Sequence, residues 1–380
     1  MNSNVQSPVR LAINAIPIRP GGGLTVLLGL LQGLRQQHAC QRIEVYTHAD
    51  DTSQAVRESG LADDVHAPLE GSTGPQVFLW QNTKFGRQLR RRETNVLLTF
   101  NHYLRNIPCP QVIYHLNLRR FSRKFRDRRF ASVLQEAVRD WSARAALVHG
   151  EANVFESEFL HRSAVHATGV TPRGGEVVYI GLPNELVDGA AAASGGFANE
   201  PRLIAITSPH PHKDNATLLR TLARLCAMRP DVPWHLDIAG GHHRSVWAAY
   251  ESLAERLGVS NRITWHGFCD HQQLDMLLRQ SLCLVATSAL ESFAMVPLEA
   301  MARCCPPIVT NVAAMPESVG DAGIIVPAHN PTAFANAVIS LYDDPAFRAR
   351  MVNAGLQHIQ RFRWSSCGAQ FQQIFRKLCA

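Results

Sequence analysis

Short apolar runs alternate with stretches of helical periodicity, and the alternation passes along the chain twice. VRLAINAIPI (9–18) reads as a buried strand, PGGG (20–23) as a turn, LTVLLGLLQGLRQQ as a helix and RIEVYTH (42–48) as the next strand. TNVLLTF (94–100), QVIYHL (111–116), AALVHG (145–150) and EVVYIG (176–181) supply further strand candidates. Continuous apolar strands joined through helices form parallel sheets with both faces covered. Residues 183–202, PNELVDGAAAASGGFANEPR, are small and without apolar period, and predict a flexible linker.

The rhythm then restarts. RLIAITS (202–208), WHLDIAGG (234–241), RITWHG (262–267), SLCLVATS (281–288), PPIVTN (306–311) and GIIVP (323–327) read as strands. NATLLRTLARLCAMR, VWAAYESLAERLG, VPLEAMAR and two closing stretches read as helices. The expected architecture is α/β, with two doubly wound, Rossmann-like domains in tandem facing a central cleft. Ligands of such sheets bind beyond the carboxyl ends of the strands.

Composition narrows the class. With 380 residues the chain exceeds the usual size of one domain. The formal net charge of +7 is modest and suits an acidic partner without naming one. The nine cysteines are scattered with no CxxC, which opposes both a disulfide framework and a zinc knuckle and fits a reducing, cytoplasmic setting. The opening MNSNVQSPVR has no apolar core of a signal peptide. GGGLTVLLGLLQGL is too short to span a bilayer.

Three loops carry candidate chemistry. Gly21, Gly22 and Gly23 let a backbone approach a ligand at a helix N-terminus, a phosphate or acceptor loop. A tight turn explains them equally well, and a dinucleotide fingerprint fails because Val26 stands where GxGxxG needs glycine. In SPHPHKDN (208–215), Lys213 precedes a helix, where its ammonium suits a diphosphate; Ser208 opens the loop, and His210 and His212 have no third metal ligand beside them. The third loop and helix, ESFAMVPLEAM (291–301), set Glu291 and Glu299 in an apolar stretch, with Pro297 in the first helical turn. The amides of Phe293, Ala294, Met295 and Val296 would face a phosphate or a sugar oxygen. Were 291–299 all helix, the two carboxylates would be roughly 12 Å apart along the axis. Hydrolytic carboxylate pairs stand about 5–9.5 Å apart. Two anchors on one long ligand fit better, and a nucleotide sugar has hydroxyls at both ends and a diphosphate between. Helix capping and plain exposure are the alternatives for either glutamate alone.

The segment ESFAMVPLEAMARCCPPIVTNVAAMPESVGDAGIIVPAHNP resembles the donor-site segment of the retaining glycosyltransferases of family 4, which have the GT-B fold. The resemblance is strongest over 203–365 and looser over 10–182. The family's E-x7-E pair falls on Glu291 and Glu299, its Gly-rich loop on 21–23, and its lysine on Lys213. A histidine near the reacting carbon falls on His115. FRWSSCGAQFQQIFRKL resembles the C-terminal helix that crosses back to the first domain. Ala294 replaces a usual glycine, Pro297 stands one position late, and Ser208 takes the place of a usual arginine.

The resemblance implies an N-terminal acceptor domain over 1–185 joined by 366–380, a linker over 186–201, and a donor domain over 202–365. It implies transfer of a hexose from a nucleoside-diphosphate sugar, with retention, to a glycan or polyprenyl-linked glycan of the cell envelope, lipopolysaccharide or exopolysaccharide. His115 and Glu291 would be catalytic, Glu299 would hold the ribose, and Lys213 with the loop amides would neutralise the leaving diphosphate. The chain has no D-x-D, so neither a metal nor another cofactor is expected. A sugar-nucleotide epimerase of the same fold and a non-catalytic nucleotide-sugar binder are the alternatives; a nicotinamide dehydrogenase is disfavoured by the glycine spacing.

Basic residues crowd RQLRRR (87–92) and LRRFSRKFRDRRF (118–130). No nucleic-acid module accompanies them. Phe121, Phe125 and Phe130 at near-helical spacing fit either a solvated helix whose phenylalanines reach the core or an amphipathic face turned to a surface. Arg119, Arg120, Arg123 and Lys124 on it would meet an anionic membrane surface at the cytoplasmic side.

Overall fold

The computed structural model describes residues 8–379 apart from 49, 70–71, 73, 123–129, 191–199 and 242–246. The chain forms two compact units, Met1–Pro183 with Phe362–Ala380, and Asn184–Arg361.

The first unit runs β1 (Arg10–Asn14), α1 (Gly22–Gln36), β2 (Arg42–Tyr46), α2 (Asp51–Ser59), β3 (Asp64–His66), α3 (Gly74–Thr83), α4 (Phe85–Arg91), β4 (Val96–Phe100) and β5 (Gln111–His115), then α5 (Phe130–His149), β6 (Ala152–Phe155), α6 (Glu158–Thr168) and β7 (Gly174–Val177). All seven strands are parallel, in the order β3-β2-β1-β4-β5-β6-β7. Strands β4, β5 and β6 are buried at every position, which explains their unbroken apolar runs. AALVH (145–149), predicted as a strand, is instead the last turn of α5, and the strand is ANVF just after it. Ala143, Ala146 and Leu147 are buried at helical spacing while Val148 is 44% exposed. A short apolar run satisfies either period, and helix length decides.

The second unit runs α7 (Asn184–Ala190), β8 (Arg202–Ile206), α8 (Asn215–Met228), β9 (His235–Ala239), α9 (Ala248–Arg256), β10 (Ile263–Gly267), α10 (His271–Arg279) and β11 (Cys283–Ala286), then α11 (Met295–Met301), β12 (Pro307–Thr310), α12 (Met315–Val319), β13 (Ile324–Val326), α13 (Pro331–Asp343) and α14 (Pro345–His358). Its six parallel strands lie in the order β10-β9-β8-β11-β12-β13. Helix α7 occupies residues where composition predicts a flexible linker; its Val187 and Ala190 are buried.

The last helix, α15 (Trp364–Cys379), returns to the first unit and packs on α1. A Cβ on Gly29 would lie 1.9 Å from the Trp364 ring, and one on Gly33 would lie 2.0 Å from the Trp364 carbonyl oxygen. Glycine four residues apart thus lets two helix backbones meet. Phe371 of α15 reaches the first core, edge-on to Tyr114 at 5.0 Å.

Candidate functional site

In each sheet the chain steps outward one way and then the other, so the strand order reverses between two neighbours. In the second unit these are β8 and β11, in the first β1 and β4. Loops leaving such a pair diverge and open a crevice at the carboxyl ends. Lys213 lies on the loop after β8 and Glu291 on the loop after β11. Sheet order therefore brings together residues seventy-eight positions apart.

The β8 loop is held rigidly. Residues Pro211–Lys213 make one 3-10 turn, and Asp214, in left-handed conformation (φ 47°), caps α8 through Thr217 N–H. The other Asp214 oxygen lies 2.6 Å from His329 Nδ1. Across the crevice, Thr287 Oγ1 donates to the Lys213 and Asp214 carbonyls at 3.0 and 3.1 Å, and Ala289 N–H donates to the His212 carbonyl at 2.7 Å. Thr287, Asp214 and His329 went unnoticed in the sequence. A threonine ending a buried strand and an aspartate opening a helix were the available signals. Ser208 accepts from Asn215 Nδ2 through its carbonyl at 2.8 Å. The rings of His210 and His212 stack 5.6 Å apart.

Lys213 Nζ donates to Glu291 Oε1 at 2.6 Å, with both side chains about one-fifth exposed. The sequence reading assigns them to separate parts of a ligand, and the structure puts them in contact. The Glu291 carbonyl accepts from Ala314 N–H at 3.3 Å, tying this loop also to the one after β12.

Helix α11 begins at Met295, and Pro297 is its third residue, where the missing N–H has no partner to lose. The row of amides expected over 293–296 is incomplete. Ala294 N–H already donates to Ser318 Oγ at 3.0 Å, a cap supplied by α12. Phe293 and Ala294 are buried. Met295 and Val296, in the first turn, keep amides that no intrahelical carbonyl reaches.

Glu299 sits on α11, half-buried. Burial raises its carboxyl pKa, while Arg303 and His271 pull it the other way. Arg303 does not neutralise it by contact: its guanidinium donates to the Glu299 backbone carbonyl at 3.0 Å and to Asp275 at 3.0 Å. The Glu299 carboxylate has no hydrogen-bond partner among the described residues. A desolvated carboxylate without a donor is unfavourable for the protein by itself and marks a place suited to ligand hydroxyls.

In the first unit, Gly21 caps α1 with φ 114°, a conformation that needs glycine, whereas Gly22 and Gly23 are the first helical residues. A Cβ on Gly22 would meet nothing within 4 Å. The fold itself therefore does not demand glycine there. His115 ends β5 but is wholly buried, a correction to its expected place beside a reacting carbon. Its Nε2 pairs with Asn153 Oδ1 at 2.9 Å and its ring stacks on Phe155 at 4.6 Å. Burial pushes its pKa down to about 4, which keeps it neutral, and Nδ1 finds no partner.

The basic segment is corrected at Arg120 alone. Arg120 is 8% exposed, in a 3-10 turn (Leu118–Arg120), and donates to the Asn101 carbonyl and to His102 Nε2. It is not a surface residue. Phe121 is buried against His115. Arg123, Lys124 and Phe125 lie outside the described residues, as does the side chain of Arg119. Among the described residues one trio has metal-ligand spacing, Glu44, Asp64 and His66. Arg42 and Arg92 both pair with Glu44 and Asp64, so the trio reads as an ion-pair network.

Residues 191–358 match the family model for glycosyl transferases group 1. The second unit carries a glycosyl transferase group 1 domain. Lys213, Glu291 and Glu299 all fall within that domain. The D-inositol 3-phosphate glycosyltransferase of Corynebacterium glutamicum is 30% identical over 174 residues, 45% of this chain and 42% of its own length. The enzyme of the same description from Streptomyces avermitilis is 32% identical over 172 residues, 43% of this chain and 37% of its own. The matches thus span less than half the length of these curated relatives.

Solved structures align over nearly the whole chain. A glycosyltransferase from Rickettsia africae has a TM-score of 0.76 at 12% identity, covering 98% of this chain and 99% of its own. Sucrose-phosphate synthase from Thermosynechococcus elongatus has 0.75 at 18%, covering 97% and 99%. HepE from Anabaena, solved with UDP-glucose, has 0.73 at 17%, covering 97% and 100%. The fold is that of these GT-B neighbours, two parallel-sheet Rossmann-like α/β domains.

Proposed function

We propose that the chain is a retaining glycosyltransferase that moves a hexose from a nucleoside-diphosphate sugar to a glycan or lipid-linked glycan of the envelope or of exported polysaccharide. The observation that carries this reading is the contact between Lys213 and Glu291 at the β8–β11 switch point. In a nucleotide sugar the hexose and the diphosphate share one oxygen. A cation for the phosphate and a carboxylate for the hexose hydroxyls must then lie side by side, as these two do. The unpartnered Glu299 carboxylate supports a second hydroxyl contact, to the ribose. Lys213 and the amides of Met295 and Val296 would take up charge on the leaving diphosphate.

The acceptor would meet the first unit, with Gly21, Gly22 and Gly23 leaving room at the head of α1. His115, buried and neutral at the end of β5, would act in the first unit as a positioning residue. Retention, by front-face displacement with the leaving phosphate taking the acceptor proton, and independence from metal are parts of the proposal that rest on sequence resemblance. So are a cytoplasmic location and a salt-sensitive contact with anionic membrane through Arg119, Arg123 and Lys124, from which Arg120 is now removed. No helix among the described residues is long and apolar enough to cross a membrane.

The test is a thermal-shift screen of UDP, GDP, ADP and dTDP sugars, uridine donors first because HepE was solved with UDP-glucose. A concentration-dependent rise in melting point is expected with one of them. The donor so found is then assayed over an acceptor panel, with and without EDTA, and the product anomer is read by NMR. No donor binding would sink the reading. Release of an isomerised nucleotide sugar without acceptor would replace it with an epimerase.

A further inference from the structure

The step from β4 to β5 is made by residues 101–110 without a helix, unlike the steps on either side, which carry α3 with α4 and α5. Right-handed crossovers put α3, α4 and α5 on one face of the sheet. The missing helix leaves a cavity of about 970 Å³ there, walled by α3, the 102–106 loop, Arg120 and the second half of α5. That volume is of the size that holds small ligands (about 300–1,000 Å³).

The walls have a defined chemistry. Arg105, Arg120 and Arg144 line the cavity, and among the described residues no Asp or Glu does. Arg120 is fixed by the Asn101 carbonyl and by His102, and Arg144 by the Thr168 carbonyl. Neither Arg105 nor Arg144 has a carboxylate partner among the described residues. Beside these cations stand Phe78, Trp141 and Val148, which also line the cavity and are 64%, 55% and 44% exposed. Large apolar side chains left this open need a reason. Arg105 lies over the Trp141 ring at 5.4 Å, so charge and apolar surface share one wall.

We propose that this cavity binds a single-chain anionic amphiphile, a phosphate head on an apolar tail, with the head on Arg105 and Arg144 and the tail along Phe78, Trp141 and Val148. The inference deepens the proposed transferase reading, since such a molecule is the lipid-linked class of acceptor or its lipid carrier. Concavity favours one enclosed molecule over a bilayer surface. The alternation of cation and aromatic favours an amphiphile over inorganic phosphate or a neutral lipid.

The experiment titrates the full chain, without nucleotide sugar, with farnesyl phosphate below its micellar concentration, followed by calorimetry. Farnesol and inorganic phosphate are the comparison ligands. Farnesyl phosphate is expected to bind at least tenfold more tightly than either. Arg105→Gln with Arg144→Gln, and separately Trp141→Ala, should each weaken it at least fivefold, with circular dichroism unchanged. Phe268→Ala, an exposed aromatic of the second unit, is the unaffected control. Equal binding of farnesol removes the head contact, and equal binding of phosphate removes the tail contact. Unchanged affinity in the arginine double variant moves the site elsewhere. Binding to anionic vesicles alone, with none to the monomer, overturns the cavity in favour of a membrane surface. Because no donor is present, failure of donor binding leaves this result standing. Conversely, turnover on a soluble acceptor survives if farnesyl phosphate does not bind.

Discussion

Lys213 Nζ and Glu291 Oε1 stand 2.6 Å apart, each delivered by a loop that leaves one side of the strand-order reversal in the second sheet. The pair has opposite consequences for its two members. Lys213→Ala should weaken nucleoside diphosphate and donor alike, by about 10–100-fold for loss of a hydrogen bond to a charged group (about 1.5–3 kcal/mol). Glu291→Gln removes the anion that competes for the lysine, so nucleoside diphosphate should bind as well or better while turnover falls at least tenfold. Calorimetry and a turnover assay separate the two. Unchanged nucleotide affinity in Lys213→Ala would place the diphosphate elsewhere.

Glu299 gives a pH-dependent signature. Its carboxyl pKa is raised by burial, so relative to the unfolded chain its contribution is fully present below the unfolded value and is lost as pH rises through the folded one. Glu299→Gln should therefore melt higher than the parent at pH 8. The difference should vanish below about pH 4, near the unfolded glutamate pKa of ~4.3. The same variant should lose turnover at least tenfold. Calorimetric melting across this range checks the stability, and a variant no more stable at pH 8 would show the carboxylate to be satisfied in the protein.

The loop at the head of α1 separates two kinds of glycine. Gly21→Ala forces a side chain into φ 114° and should destabilise by roughly 1–3 kcal/mol. Gly22→Ala enters open space in a helix and should be neutral or stabilising by up to about 1 kcal/mol. If acceptor approaches there, Gly22→Ala should nonetheless lower turnover. Denaturant melts and kinetics on the same two variants distinguish these effects, and full activity in Gly22→Ala would remove ligand contact at that position.

What could be read in advance depended on range. Strand and helix periods are local, so most of β1, β2, β4, β5 and the second sheet were legible, and the doubly wound plan followed. Lys213, Glu291 and Glu299 were singled out because residue type and spacing are also local. Their mutual contact was not, because it depends on which strands become neighbours. AALVH failed because its few apolar residues fit two periods, and Asn184–Ala190 because small residues suit both helix and linker. Arg120 failed because a buried arginine is recognised only by the carbonyl and imidazole that hold it, supplied by Asn101 and His102 on another loop.

The G-x-x-x-G spacing in GLLQG (29–33) lies within the apolar helix α1, and its use is the close approach of α15. Gly33→Ala should cost about 1–3 kcal/mol by overpacking against the Trp364 carbonyl. Ser366→Ala, at an exposed position of α15, should cost under about 0.5 kcal/mol, as surface changes usually do. Urea melts of both variants compare them, and equal stability would mean that α1 and α15 shift apart at no expense.

The return of α15 also sets an order of events during synthesis. The first core takes Phe371 and its neighbours from the end of the chain, so its earlier part must wait while Asn184–Arg361 is made. At about 5–20 residues per second that interval is roughly 10 to 40 s. The second unit, whose elements are contiguous, can close on the ribosome before the first is complete. Until then α1 carries a bare glycine-lined stripe, a surface for chaperones to shield in the growing cell.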